Sequence, residues 1–126
     1  MSLLLDTHVL LWLLNGEQRR FGPHALDALR ERTAIVSAAA VWEIAIKRRV
    51  GKLRAPSNLL ETVTAAGLSV LAISGAHAEH VADLDDLHRD PFDRILVAQA
   101  VLEKLTIVTA DARIRSYDIS SLDPGQ

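Results

Sequence analysis

Short apolar runs alternate with helix-length segments along this chain, the pattern of an α/β domain with a largely parallel sheet. Leu3-Leu4-Leu5 reads as a buried first strand, ended by Asp6. A helix is expected from about Thr7 to Leu14, stopped at Asn15-Gly16. Pro23 suits the first turn of a second helix, with Leu26 and Leu29 on one face. Ala34-Ile35-Val36 is a brief strand, after which Ser37 caps a helix running to about Val50. Pro56-Ser57 opens a helix to about Ala66, Leu68 to Ile73 is a third strand, and Ser74 caps the next helix. Asp83 to Asp90 reads as a solvated acidic loop. Asp90-Pro91 is a strong helix start, with the aspartate as cap and the proline at the first helical position, for a helix to about Leu105. Thr106-Ile107-Val108 is a fourth strand and Tyr117-Asp118-Ile119 a candidate fifth. Four to five short strands flanked by helices fit one domain over residues 1–126, with a frayed tail at Asp123-Pro124-Gly125-Gln126.

Composition narrows the chemistry. With no cysteine, disulfide scaffolds, cysteine–zinc sites and thiol nucleophiles are excluded. Aromatic residues are only 4%, too few for a stacking platform under single-stranded bases. The formal charge of −2 conceals an asymmetry: residues 1–78 carry a net +3 and residues 79–126 a net −5. Leu3 to Leu14 is apolar but too short to span a bilayer, and Asp6 and His8 interrupt it. No basic segment precedes it, so a cytoplasmic protein without membrane attachment is expected.

Four acids stand out against this frame. Asp6 directly follows the first strand and Asp111 lies three residues after the fourth, so both sit where open parallel sheets bind ligands. Asp93 falls in the first turn of the helix starting at Pro91, and Glu43 lies within the Ser37–Val50 helix. Each has an ordinary reading. Asp6 and Asp111 can cap the helices after them, Asp93 suits the positive end of a helix dipole, and Glu43 precedes Lys47 by four residues. Gathered in one cleft, the four would repel one another and raise each other's pKa unless cations neutralised them. Hard oxygen ligands of this kind suit Mg²⁺ or Mn²⁺, which can activate water for phosphoryl displacement.

The phrases Leu4-Leu5-Asp6-Thr7-His8, Val41-Trp42-Glu43-Ile44, the run from Asp90-Pro91-Phe92-Asp93-Arg94 to Ala98-Gln99-Ala100, and Val108-Thr109-Ala110-Asp111 resemble the PIN-domain family. Within it they are similar to bacterial VapC-type toxins of type II toxin–antitoxin pairs. The resemblance implies an endoribonuclease dependent on one or two Mg²⁺ or Mn²⁺ ions, with Asp6, Glu43, Asp93 and Asp111 as its catalytic acids. It implies Asp6 and Asp93 as direct metal ligands, with Asp111 and Glu43 binding a second ion or metal-bound water. Thr109 matches the hydroxyl position before the last acid. His8 stands where many relatives carry a small hydroxyl residue, and its imidazole is a candidate contact to substrate. Arg94 either supports the carboxylates or grips a phosphate. Partners implied are RNA, a cognate antitoxin and a second copy of the chain.

Other features keep two readings. Lys47, Arg48, Arg49, Lys52 and Arg54 form a basic run that is either a solvated helix end or a phosphate track. His24, His77, His80 and His88 show no metal-ligand spacing with partner residues. Trp12 and Trp42 belong to the core or an interface. The apolar helix around Val9, Leu10, Trp12 and Leu13 and the stripe Leu59, Leu60, Val63 offer a groove for a partner. Two readings compete with the nuclease. A catalytically silent PIN-like scaffold would not need all four acids. A phospho-acceptor signalling domain would need an acid after a central strand, and none follows Ile35-Val36 or Val70-Leu71.

Overall fold

The first strand is three leucines, each fully buried, and its alternating side chains divide the interior in two. Leu3 and Leu5 join Val36 and Val108 on one face of the sheet, whereas Leu4 and Ile107 join Leu96, Val97 and Ile114 on the other. A strand covered on both faces must be apolar throughout, which is why no polar position interrupts it. The computed structural model describes residues 1–126. Strands β1 (Leu3–Leu5), β2 (Ala34–Ser37), β3 (Ser69–Leu71), β4 (Thr106–Val108) and β5 (Ser121–Leu122) form one sheet in the order β3-β2-β1-β4-β5. Every pairing is parallel.

The helices are α1 (Thr7–Leu14), α2 (Pro23–Glu31), α3 (Ala38–Arg49), α4 (Leu59–Ala65), α5 (Gly75–His80), α6 (Pro91–Glu103) and α7 (Ala112–Arg115). Their starts follow the capping residues. Asp6 accepts from the Val9 N–H, Ser37 from Ala39, Ser74 from His77, and Asp90 from both Phe92 and Asp93. None is long and apolar enough to cross a membrane.

Several expectations need correction. The fifth strand is Ser121–Leu122, not Tyr117–Ile119, because pairing with β4 begins only there. Tyr117 is instead buried, its ring in the second core and its hydroxyl donating to the Asp85 carbonyl at 2.9 Å. α4 starts at Leu59, after a turn at Ser57-Asn58, and β3 keeps only the middle of Leu68–Ile73. α6 stops at Glu103, since Lys104 takes a left-handed conformation at φ 55°. Val9, Leu10, Leu59 and Val63 are core residues, which leaves half-buried Trp12 and Leu13 and exposed Leu60 for any partner.

The tail is pinned rather than frayed. The Gly22 N–H donates to the Pro124 carbonyl at 2.8 Å and the His24 N–H to the Gln126 carbonyl at 2.9 Å. Arg115 pairs with Asp123 at 2.8 Å. A side chain at Gly22 would clash with Gln126 main-chain atoms, so only glycine admits this approach.

Candidate active site

The strand order reverses direction between β1 and β4, and the loops leaving their carboxyl ends open a cleft there. Phospho-acceptor receivers instead order their strands 2-1-3-4-5. The cleft has a volume of about 490 Å³, and its lining includes Asp6, Glu43, Lys47, His88, Asp93 and Asp111. All four expected acids therefore face one space, although β1, α3, α6 and the loop after β4 deliver them separately.

Asp6 is nearly buried and does two things at once. Its Oδ1 caps α1 through the Val9 N–H at 2.8 Å, and its Oδ2 accepts from the Thr109 hydroxyl at 2.5 Å. Thr109 also accepts the Asp111 N–H at 3.0 Å, so the expected supporting hydroxyl ties two of the acids together. Burial pushes the Asp6 carboxyl up, against the lowering effect of Thr109 and Val9. Asp93 is pushed up to about 7, by burial first, then by Asp90, with Glu43 and Asp6 adding to the repulsion. Asp111 lies below an ordinary aspartate: burial works upward, but the Arg113 N–H and His88 outweigh it.

Glu43 stands apart. Its Oε1 accepts from the Thr7 hydroxyl at 2.6 Å and its Oε2 from Lys47 at 2.7 Å. The ion pair expected of a surface helix is real, yet it sits on the cleft wall with Glu43 only 5% exposed. That bond to Glu43 is also the main reason the Lys47 ammonium is raised above its ordinary value. Of the basic run only Lys47 lines the cleft; Arg48, Arg49, Lys52 and Arg54 are exposed outside it.

Arg94 does not line the cleft and is turned into the protein behind it. Its side chain is 14% exposed, and its guanidinium donates to the carbonyls of Val81 at 2.9 Å, Asp85 at 3.0 Å and His88 at 3.1 Å. The acidic loop is thereby folded onto α6, and His88 within it is buried. His88 is the residue that the spacing of the sequence did not single out. Its Nε2 lies 2.9 Å from Asp93 Oδ2 and 3.1 Å from Asp111 Oδ2. One ligand atom from each of these three residues falls within 4.8 Å of the others. The available signal was a histidine two positions before the capping Asp90, where a turn into a helix start faces it inward.

At the rim, His8 is exposed, with its ring 6.5 Å from Trp12. Trp12 carries the Arg20 guanidinium 4.7 Å above its ring and packs edge-on against Phe21. Trp42 is 59% exposed and meets Phe92 at 5.1 Å. His77 is buried in a capping box with Ser74, an ordinary structural role.

The donor set fits a hard divalent cation. Asp6, Asp93 and Asp111 supply carboxylate oxygens, and the one cationic side chain on the cleft wall that pairs with a buried acid, Lys47, is spent on Glu43. A carboxyl pushed to about 7 records its burial first and the repulsion of neighbouring acids second, both of which a bound cation would offset.

The model of the PIN domain matches residues 3–120. Ribonuclease VapC22 of Mycobacterium tuberculosis is 29% identical over 124 residues, covering 92% of each chain. Among solved structures, VapBC2 from Rickettsia felis bound to a promoter DNA fragment superposes with a TM-score of 0.69 at 14% identity, covering 97% of this chain and 98% of that one. DNA-bound VapBC from Salmonella typhimurium gives 0.69 at 19% identity, covering 98% of each. Such identities speak to the fold, and the family match spans nearly the whole chain together with the acids at its cleft: the chain belongs to the PIN-domain family.

Proposed function

We propose that this chain is a divalent-metal-dependent endoribonuclease and the toxin half of a toxin–antitoxin pair, working in the cytoplasm as a single domain over residues 1–126. The observation that carries the reading is the convergence of Asp6, Asp93 and Asp111 on one cleft at the switch point of a PIN fold, with Asp93 pushed up to about 7. A similar protein is named a ribonuclease, and similar structures are toxin–antitoxin complexes. Asp6, Asp93 and Asp111 hold one or two Mg²⁺ or Mn²⁺ ions. A cation held there would supply activation of water and offset charge on the phosphate oxygens. Thr109 orients the Asp6 carboxylate, and Thr7 with Lys47 holds Glu43 against the wall. His8 and Arg113, on the cleft border, contact the RNA backbone or a flanking base. Arg48, Arg49, Lys52 and Arg54 extend the phosphate track beyond the cleft.

A groove of about 670 Å³ bordered by Leu13, Leu14, Leu26 and Leu29 supports a seat for an apolar antitoxin segment. Exposed Trp42, packed edge-on against half-buried Phe92, supports contact with a second copy. The test is cleavage of RNA by repurified protein. Activity is expected with Mg²⁺ or Mn²⁺ and none with chelator; undiminished cleavage in chelator overturns the metal-dependent reading. Co-expression with the antitoxin is expected to restore growth, and harmless expression of the chain alone overturns the toxin reading.

A further inference from the structure

By distance alone, His88, Asp93 and Asp111 would make a three-ligand metal site, with one ligand atom from each inside 4.8 Å. The hydrogen bonds of the ring say otherwise. The Asp90 backbone N–H points at His88 Nδ1 from 3.2 Å. A backbone N–H only donates, so Nδ1 must present its lone pair. A ring with lone pairs on both nitrogens would be an imidazolate, which is not accessible near neutral pH. The ring proton is therefore assigned to Nε2, and Nε2 faces Asp93 Oδ2 at 2.9 Å and Asp111 Oδ2 at 3.1 Å. That nitrogen has no lone pair left for a cation.

The ring is also held from its main chain. The His88 N–H donates to the Tyr117 hydroxyl at 3.1 Å, and the His88 carbonyl accepts from Arg94 at 3.1 Å. Arg94 in turn donates to the same Tyr117 hydroxyl at 3.2 Å. Both polar groups of the backbone are thus fixed by side chains from α6 and from the turn after α7, and the side chain is 4% exposed. Such a residue has little freedom to turn its ring over and offer a different nitrogen.

We propose that His88 is a positioning residue of the acidic cleft, a neutral imidazole whose Nε2–H holds the Asp93 and Asp111 carboxylates on one shared donor, and not a nitrogen ligand of the metal. The proposal deepens the ribonuclease reading and rests on it for the purpose of the cleft. Two like-charged groups from different elements repel, and a donor between them keeps their oxygens converging on one point before any cation arrives. The carboxylates then need no rearrangement to take up the ion, and the set stays all-oxygen, as Mg²⁺ prefers.

The direct test is a long-range proton–nitrogen correlation spectrum of the full chain labelled with ¹⁵N in histidine, recorded metal-free and with Mg²⁺. His88 is expected as the neutral Nε2–H tautomer in both. Loss of the Nε2 proton on adding Mg²⁺, or an Nδ1–H tautomer in either state, overturns the proposal. Calorimetric Mg²⁺ binding supplies an independent readout. His88→Ala is expected to weaken Mg²⁺ binding by about tenfold or more. His88→Gln is expected to recover most of that, since its amide N–H reaches about where the imidazole Nε2–H does. Wild-type affinity in the Ala variant, or a Gln variant no better than Ala, contradicts the proposal. Should the Ala variant fail to fold, the spectrum and the Gln variant still decide it. The spectrum reads the clamp whether or not the wild-type chain cleaves RNA, so failure of the ribonuclease reading is distinguishable from failure of this one.

Discussion

Two helix starts in this molecule use a buried histidine in the same way and end in different chemistry. At α5, His77 Nδ1 accepts the N–H of the capping residue Ser74 at 3.0 Å; at α6, His88 Nδ1 accepts the N–H of the capping residue Asp90 at 3.2 Å. In both, Nε2 is turned toward carboxylate. His77 meets one, Glu103, at 3.8 Å and 42% exposed, where water can screen it. His88 meets two at about hydrogen-bond distance, Asp93 and Asp111, with Asp6 and Glu43 sharing the same cleft. A helix start with a buried histidine is thus a self-contained hydrogen-bonded device. It becomes a reactive place only when separate strands deliver charge to it.

The largest expected difference lies in Asp93. Asp93→Asn is expected to lower RNA cleavage by about 100-fold or more while keeping the shape of the side chain. The same change should stabilise the metal-free protein at pH 8 by about 1–2 kcal/mol, after allowing for the solvent that reaches the cleft. The sign follows from linkage. The folded pKa of about 7 lies above the unfolded 3.8. The stabilisation from the bound proton is complete below about pH 4 and is lost as pH rises through about 7. Urea unfolding of both proteins at pH 4.5 and 8 measures it; an equal pH slope in the two would break the contrast with α5.

Arg94→Ala comes next. Four carbonyls lose a buried cationic donor, and a loss of about 2–4 kcal/mol in stability is expected by urea unfolding, with Mg²⁺ affinity falling alongside. Ser74→Ala, at the other helix start, is expected to cost about 1 kcal/mol and leave Mg²⁺ affinity unchanged. A change in Mg²⁺ affinity there would mean the two sites are not independent. The smallest effect concerns the exposed basic run. Gln at Arg48, Arg49 and Lys52 is expected to flatten the salt dependence of RNA binding by about one unit of slope per lost phosphate contact, with less effect at saturating RNA. An unchanged slope returns those residues to an ordinary solvated helix end.

What was readable in the sequence were features decided locally. The three leucines of β1, the Asp90-Pro91 start and the Ser37 and Ser74 caps are each set by neighbours within a few positions. Asp6 and Asp111 were readable because strand ends announce where they point, whereas Glu43 and Asp93 lie on helices and were marked by the family resemblance. Tyr117-Asp118-Ile119 misled because three residues of apolar–polar–apolar order look like a strand, whereas β5 is defined by its pairing with β4. His88 was passed over and Arg94 left undecided for a related reason. Their partners across the loop lie 5 to 29 positions away, and no periodicity encodes such a meeting. The pinned tail depends on a missing atom, the Cβ that Gly22 lacks.

The central claim is that the cleft is a carboxylate site short of positive charge that a divalent ion supplies. It is tested most directly by Mg²⁺ titration calorimetry near pH 7 in buffers of different ionisation enthalpy. A carboxyl with a pKa of about 7 is half protonated there and must lose its proton to bind metal, so release of about half a proton per bound ion is expected. The Asp93→Asn variant should release none. Absence of Mg²⁺ binding by the wild-type chain, or binding with the same proton release in the variant, would contradict the account.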